Sequence, residues 1–287
     1  MRLQTKWQTV KKKQKAMTLK EAINILTEAG VDSPLYDSRE LFKIYCPEPI
    51  MMNTVCDDAQ LLSAIERRKN REPLQYIIGE VGFYREEYFI SPACLIPRAD
   101  TEILVDYAVK NLPRGAHFAD LCTGSGCVAI SVLKNTAETT AIAMDISTDA
   151  LEVARKNAER NRVSERIEFL EADVLKADAP ATDAEPIFAM LSNPPYVSDD
   201  AYASLEKEIY HEPKIAFVAG SDGGDFYRLL TKKYKNVIDK FGFIAYEIGY
   251  DQADMLKKIA EENNMSCEII KDLSGNDRVA VLKNLNV

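Results

Sequence analysis

From Met17 onward the apolar positions recur at helical spacing, with Ala22, Ile23, Ile25, Leu26 and Ala29 on one face. Thr18 followed by Glu21 has capping-box spacing, and Gly30 sits where such a helix would stop. DSPLYDSRELFKIYC (32–46) and DDAQLLSAIERRKN (57–70) repeat the pattern, each opening on aspartate. The spacing predicts a small helical domain over residues 17–72. QYIIGEVGFYREEYFISPACLIP (75–97) then changes character: aromatic and β-branched residues fall in two short runs separated by charged and Gly-containing turns. That predicts a β-hairpin linker over 73–95. DTEILVDYAVKNL (100–112) predicts a helix with Asp100 as its N-cap. Apolar strand-like runs then alternate with amphipathic helices: HFADL, CVAISVLKN, TAIAMDI, STDALEVARKNAERN, RIEFLEADV, PIFAML, GFIAYEIGY and DQADMLKKIAEEN, closing on the pair CEIIKDL and RVAVLKN. This order predicts an α/β domain over 96–287, a mostly parallel sheet covered on both faces.

Composition narrows the picture. With 46% hydrophobic residues in 287, the chain can bury a large core. No run approaches the roughly 18 apolar residues of a membrane span, and the N-terminus lacks the apolar stretch of a secretory signal, so a cytoplasmic protein without membrane contacts is expected. Six cysteines without a CxxC pair and two distant histidines argue against a metal site or a disulfide framework; reduced, mostly buried thiols and no metal are expected. The net charge of −9 hides an asymmetry: residues 1–16 hold six basic residues and no acid, and the remainder keeps 30 basic against 45 acidic residues, a net of −15. Such a body matches a phosphate backbone poorly, so no direct nucleic-acid partner is expected. The basic leader reads as a disordered, solvated tail, or as residues upstream of a start at Met17, in preference to a nucleic-acid or ribosome tether.

Candidate chemistry lies at strand ends. DLCTGSG (120–126) joins the first strand of the α/β domain to its helix, where glycines allow a tight turn and close approach of a ligand. Taken alone the loop is ambiguous, because Gly124, Gly126 and Ala129 also fit the nicotinamide fingerprint GxGxxA. Asp145, closing the second strand, suits the ribose hydroxyls of NAD or of S-adenosylmethionine equally. Two features favour the methyl donor. Asp173, at the end of the third strand, can accept from an adenine amine, with a turn or cap aspartate as the plain alternative. Asn193-Pro194-Pro195-Tyr196 follows the fourth strand, and no hydride transfer requires such a corner.

An amide nitrogen is a weak nucleophile because its lone pair is delocalised. A site that methylates it must hold the NH2 in line with the donor and stabilise electron density on nitrogen. The Asn193 side-chain carbonyl and the Pro194 backbone carbonyl supply two acceptors. Each precedes a proline and is pushed out of the α region, which stiffens the corner. Tyr196 adds a flat face for stacking. No general base is needed at the start. The competing reading is a structural turn, since Asn-Pro and Pro-Pro pairs mark turns elsewhere.

The motifs IPRADTE (96–102), DLCTGSG (120–126), SNPPY (192–196), HEPKIAF (211–217), GSDGGDFYR (220–228), EIGYDQ (247–252) and DLSGNDRV (272–279) resemble those of the peptide chain release factor N5-glutamine methyltransferases, from about Met17 to the C-terminus. The resemblance implies a class I S-adenosylmethionine-dependent methyltransferase fold preceded by a helical substrate-docking domain. It implies methylation of the glutamine in the release factor's Gly-Gly-Gln loop, with S-adenosylhomocysteine as coproduct. Carried onto this chain, it makes Cys122, Thr123, Gly124, Ser125, Gly126, Asp145, Asp173, Val174 and Asn193 donor contacts. It makes Asn193, Pro194 and Tyr196 catalytic, and places Pro195 and Arg98 with them against the substrate. Cys122 stands where many members have glycine, and Ala99 where many have proline. NPPY alone is shared with N6-adenine DNA methyltransferases and with glutamine methyltransferases of a ribosomal protein, which are the alternative functions.

Overall fold

The computed structural model describes residues 16–47, 49–178 and 186–285, so nearly all of the basic leader lies outside the described residues. The chain divides into two compact units, with the division between Ile78 and Gly79.

In the first unit, β1 (Met17–Thr18) leads into α1 (Leu19–Glu28), followed by α2 (Pro34–Tyr45), β2 (Val55–Cys56), α3 (Ala59–Lys69) and α4 (Leu74–Ile78). Thr18 and Glu21 form the expected capping box: the Thr18 hydroxyl accepts from the Glu21 N–H at 3.2 Å, and the Glu21 carboxylate accepts from the Thr18 N–H at 2.8 Å. The Asp58 carboxylate caps α3 by accepting from the Gln60 and Leu61 N–H groups. Leu19, Leu26, Leu41, Phe42, Leu61 and Ile65 fill the core, each contributing about 1.5–3 kcal/mol through removal from water. A buried ion pair, Arg68 to Asp37 at 2.6 Å, links α3 to α2.

Two expectations are corrected here. Cys46 and Cys56 are joined in a disulfide with Cα atoms 6.0 Å apart, so not every thiol is reduced. The antiparallel pairing of Met17 with Cys56 fixes β2 beside β1, while Cys46 caps the end of α2. The run QYII is helical rather than the first strand of a hairpin. The Pro73 carbonyl accepts from the N–H groups of Tyr76 and Ile77, and proline suits the first turn of a helix.

The second unit opens with the hairpin of β3 (Glu80–Phe83) and β4 (Glu86–Phe89). A short 3-10 turn, Ala99–Thr101, then enters α5 (Glu102–Asn111). Asp100 lies inside that turn and is not the N-cap of a helix; its carboxylate pairs with Arg278 at 3.2 Å instead. Next come β5 (His117–Leu121), α6 (Cys127–Asn135), β6 (Thr140–Asp145), α7 (Thr148–Arg160), β7 (Ile167–Glu171), β8 (Ile187–Ser192), α8 (Asp199–Tyr202), α9 (Asp225–Tyr234), β9 (Ile238–Glu247), α10 (Ala253–Glu262), β10 (Met265–Lys271) and β11 (Asp277–Asn284).

The sheet order is β10-β11-β9-β8-β5-β6-β7. β5 to β9 run parallel; at one edge β11 pairs antiparallel with β9 and β10 antiparallel with β11, so β11 is the one described strand of the sheet that runs against the others. Alternate strand residues feed the cores on the two faces: Phe118, Ala143, Leu191 and Phe243 on one, Leu121, Met144, Met190 and Tyr246 on the other. This is the arrangement of class I S-adenosylmethionine-dependent methyltransferases. The chain runs outward from β5 through β6 to β7, then returns to place β8 on the other side of β5, so a crevice opens at the carboxyl ends of β5 and β8. No helix among the described residues is long and apolar enough to cross a membrane.

Candidate functional site

The crevice holds a cavity of about 280 Å³ lined by residues from the ends of four strands. Cys122 and Gly124 come from the β5 loop, and Asp145, Ile146, Ser147 and Ala150 from the end of β6 and the start of α7. Ala172, Asp173, Val174 and Leu175 follow β7; Asn193 and Pro195 follow β8. Ala93, Cys94 and Leu95 close one side, and Pro213, Ile215, Ala216 and Phe226 another. A smaller cavity adjoins it, lined by Leu95, Arg98, Asn193, Tyr196, Val197, Ala216, Phe217 and Glu247. Leu95, Asn193 and Ala216 line both, so Asn193 stands where they meet.

The glycine loop is braced from below by Asp120, whose Oδ2 accepts from the Thr123 hydroxyl at 2.6 Å and from the Ala129 N–H at 3.2 Å. Burial pushes the Asp120 carboxyl up to about 7. Gly126 is required by packing: at φ +80°, a Cβ there would meet Ile130 Cδ1 at 2.9 Å and Ala154 Cβ at 3.1 Å. Thr123, Ser125 and Gly126 are buried and line neither cavity. The Ser125 carbonyl accepts from Asn157 Nδ2 at 2.9 Å. Cys122 sits at φ +60° and lines the cavity. Burial, then Asp145, raises the pKa of its thiol far above the usual range.

Asp145 accepts from the Gly124 N–H at 2.8 Å and from the Ser147 N–H at 2.9 Å. Burial raises its pKa, and those N–H groups act in opposition. Asp173 falls two residues beyond the end of β7 rather than at its end. It lines the cavity and also serves its own turn, accepting from the Leu175 N–H at 3.1 Å and pairing with Lys176 at 2.8 Å. The Lys176 contact lowers its pKa.

These contacts favour one of the two ligands the loop would suit. A dinucleotide needs free N–H groups or cations for its pyrophosphate. Here the Gly124 N–H is given to Asp145 and the Ala129 N–H to Asp120. The described residues lining the cavity include two aspartates and no lysine or arginine. An uncharged adenosine carrying a cationic sulfonium fits that field, with Asp145 for ribose hydroxyls and the apolar Ile146, Val174, Leu175 and Phe226 for a purine.

Residues 99–221 match the methyltransferase small domain family. The release factor glutamine methyltransferase of Thermodesulfovibrio yellowstonii is 38% identical over 228 residues, covering 77% of this chain and 80% of that protein. The chain belongs to the release factor glutamine methyltransferase family. The bifunctional methyltransferase of Rickettsia felis is 32% identical over 308 aligned residues; the match takes in 94% of this chain and 58% of that protein, so the chain spans little more than half of that relative. The catalytic domain of hMettl16, solved in complex with the MAT2A 3′UTR hairpin 6, shares the fold with a TM-score of 0.57 over 88% of this chain and 92% of that one, at 14% identity. As a family member with this fold, the chain is an S-adenosylmethionine-dependent methyltransferase. No cluster of side chains among the described residues has the makings of a metal site.

The remaining family-derived positions gather at the mouth. The side chain of Pro194 is buried and lines neither cavity, while Pro195 lines the larger. Tyr196 and Arg98 face the smaller cavity. Arg98 is ion-paired with the buried Glu212, whose other oxygen accepts from the Ile96 N–H at 2.9 Å. Gln252 Nε2 holds the Tyr196 carbonyl at 3.0 Å. Gly223 packs against that same carbonyl, which a Cβ would approach to 2.3 Å. Sequence reasoning missed Thr101, Glu212 and Glu247 as members of the site, although they lie within the IPRADTE, HEPKIAF and EIGYDQ motifs.

Proposed function

We propose that this chain methylates the side-chain amide nitrogen of the glutamine in the Gly-Gly-Gln loop of peptide chain release factors. The observation that carries the reading is the position of Asn193 at the junction of an acidic, adenosine-sized cavity and a smaller one lined by Tyr196 and Arg98. When bound, S-adenosylmethionine supplies an electrophilic methyl on a sulfonium. Asp145, Asp173, Val174 and the wall at Cys122 and Gly124 would hold it.

The chain's own residues do the rest. Asn193 Oδ1 and the Pro194 carbonyl accept the two N–H groups of the substrate amide, orienting its NH2 and favouring electron density on nitrogen. No donor among the described residues occupies either acceptor. The Tyr196 ring gives the planar amide a face to stack on, and its hydroxyl is fixed to Glu247 at 3.3 Å. Ile215 and Phe226 from the following segments wall the larger cavity and limit water there. The first unit supplies docking contacts for the release factor.

Incubation of the full chain with isotope-labelled S-adenosylmethionine and recombinant release factor, followed by peptide mass mapping, tests the reading. Label on the glutamine of the Gly-Gly-Gln loop is the expected result. Release factor left unlabelled, while parallel reactions with ribosomal protein or DNA take up label, overturns it.

A further inference from the structure

Behind the Asn193 corner runs a hydrogen-bond chain with a direction. Asn193 Nδ2 donates to Thr101 Oγ1 at 3.2 Å. The Thr101 hydroxyl donates to Glu247 Oε2, and the Tyr196 hydroxyl donates to Glu247 Oε1 at 3.3 Å. Glu247 is 1% exposed and Thr101 equally so. One buried carboxylate therefore holds both ends of the Asn193–Tyr196 corner.

We propose that Glu247 is a positioning residue that sets, through Thr101, which face of the Asn193 amide meets the substrate. The proposal rests on the reading of Asn193 Oδ1 as an acceptor for the substrate amide. A carboxylate only accepts, so an ionised Glu247 claims the single hydrogen of the Thr101 hydroxyl. The Thr101 oxygen can then only accept from Asn193, which draws the Asn193 NH2 inward and leaves Oδ1 facing the site. A protonated Glu247 can donate to Thr101 instead. The Thr101 hydrogen then turns toward Asn193, the amide is stabilised in the opposite orientation, and its NH2 confronts the substrate NH2, donor against donor.

The surroundings make this switch accessible. The groups acting on the Glu247 carboxyl are the Thr101 hydroxyl, Arg278 on β11, Asp100 in the 3-10 turn and the Tyr196 hydroxyl. Cys127 on α6 and Tyr227 on α9 also couple to it, and the Tyr227 hydroxyl binds the Glu247 backbone carbonyl at 3.0 Å. Burial dominates and pushes the carboxyl up to about 7. The working, ionised form is thus gained as pH rises through neutrality.

The test uses the full chain and its Glu247→Gln, Thr101→Val, Thr101→Ser and Asn193→Ala variants. Methylation of release factor is measured from about pH 5.5 to 9, together with affinity for a Gly-Gly-Gln peptide without donor and for S-adenosylhomocysteine. In the unaltered chain, kcat should rise with an apparent pKa near neutrality. Glu247→Gln should lower kcat at least about tenfold and abolish that rise, weaken the peptide, and leave S-adenosylhomocysteine affinity within about twofold. Thr101→Val should do the same and Thr101→Ser should restore most of the rate, so the proposal stays testable if Glu247→Gln fails to fold. Glu247→Gln, or a folded Thr101→Val, with an unchanged rate and pH profile overturns the positioning role. A fully active Asn193→Ala would instead overturn the reading of the corner beneath it.

Discussion

Asp145 and Asn193 both line the larger cavity, yet their substitution should fail in different measurements. Asp145→Ala removes a ribose partner worth about 1.5–3 kcal/mol, so calorimetry should show S-adenosylhomocysteine bound about 10- to 150-fold more weakly. Asn193→Ala removes an acceptor that matters most in the transition state: donor binding should survive while kcat falls about a hundredfold to a thousandfold. Cys122 poses a different residue-scale problem. At φ +60°, an L-residue is strained by about 1–2 kcal/mol, which outweighs or balances the extra chain entropy glycine loses on folding. Cys122→Gly should therefore match or exceed the original midpoint in thermal unfolding, whereas the β-branched Cys122→Val should lower it.

Elements explain how those residues are held. Lys233 on α9 donates to the Val174 carbonyl at 2.6 Å and also to that of Ala177, clamping the turn that carries Asp173 and Val174. Lys233→Met keeps the stem and loses the clamp. It should weaken S-adenosylhomocysteine several-fold in calorimetry, with kcat at saturating donor nearly unchanged. At this scale the sequence was a good guide where local pattern decides. HFADL and CVAISVLKN correspond to β5 and α6 residue for residue, because buried parallel strands read as short apolar runs between turn residues. It was a poor guide where context decides. QYII has strand-like composition but forms most of α4, opened by Pro73, and Asp100 is drawn to Arg278 rather than to a helix end. α9 was not anticipated after the glycine-rich GSDGG segment. The loop and the Asn193 corner were legible because each is contiguous. The chain behind the corner was not: Asn193 and Thr101 are 92 residues apart, and Thr101 and Glu247 are 146 apart. Only the folded sheet brings them together.

At the scale of the whole molecule, the first unit has its own core and its own cross-link. Its removal should cost kcat/KM on intact release factor far more than on a short Gly-Gly-Gln peptide; equal losses on both would assign it to stability alone. The second unit carries the two buried carboxyls raised to about 7, Asp120 and Glu247. Between their unfolded pKa values, near 4, and neutrality, the folded state holds protons that the unfolded state has released, so their contribution to stability is lost as pH rises through that interval. The urea midpoint should fall between about pH 5 and 7.5, and Asp120→Asn combined with Glu247→Gln should flatten the trend. Asp222, lowered to about 2 by Arg228, acts only in stronger acid. If both carboxyls titrate near neutrality, stability should be greatest in mildly acidic buffer and turnover in mildly alkaline buffer. A purification optimised for yield and an assay optimised for signal should then settle on different conditions, and a preparation judged inactive at its storage pH should recover on transfer.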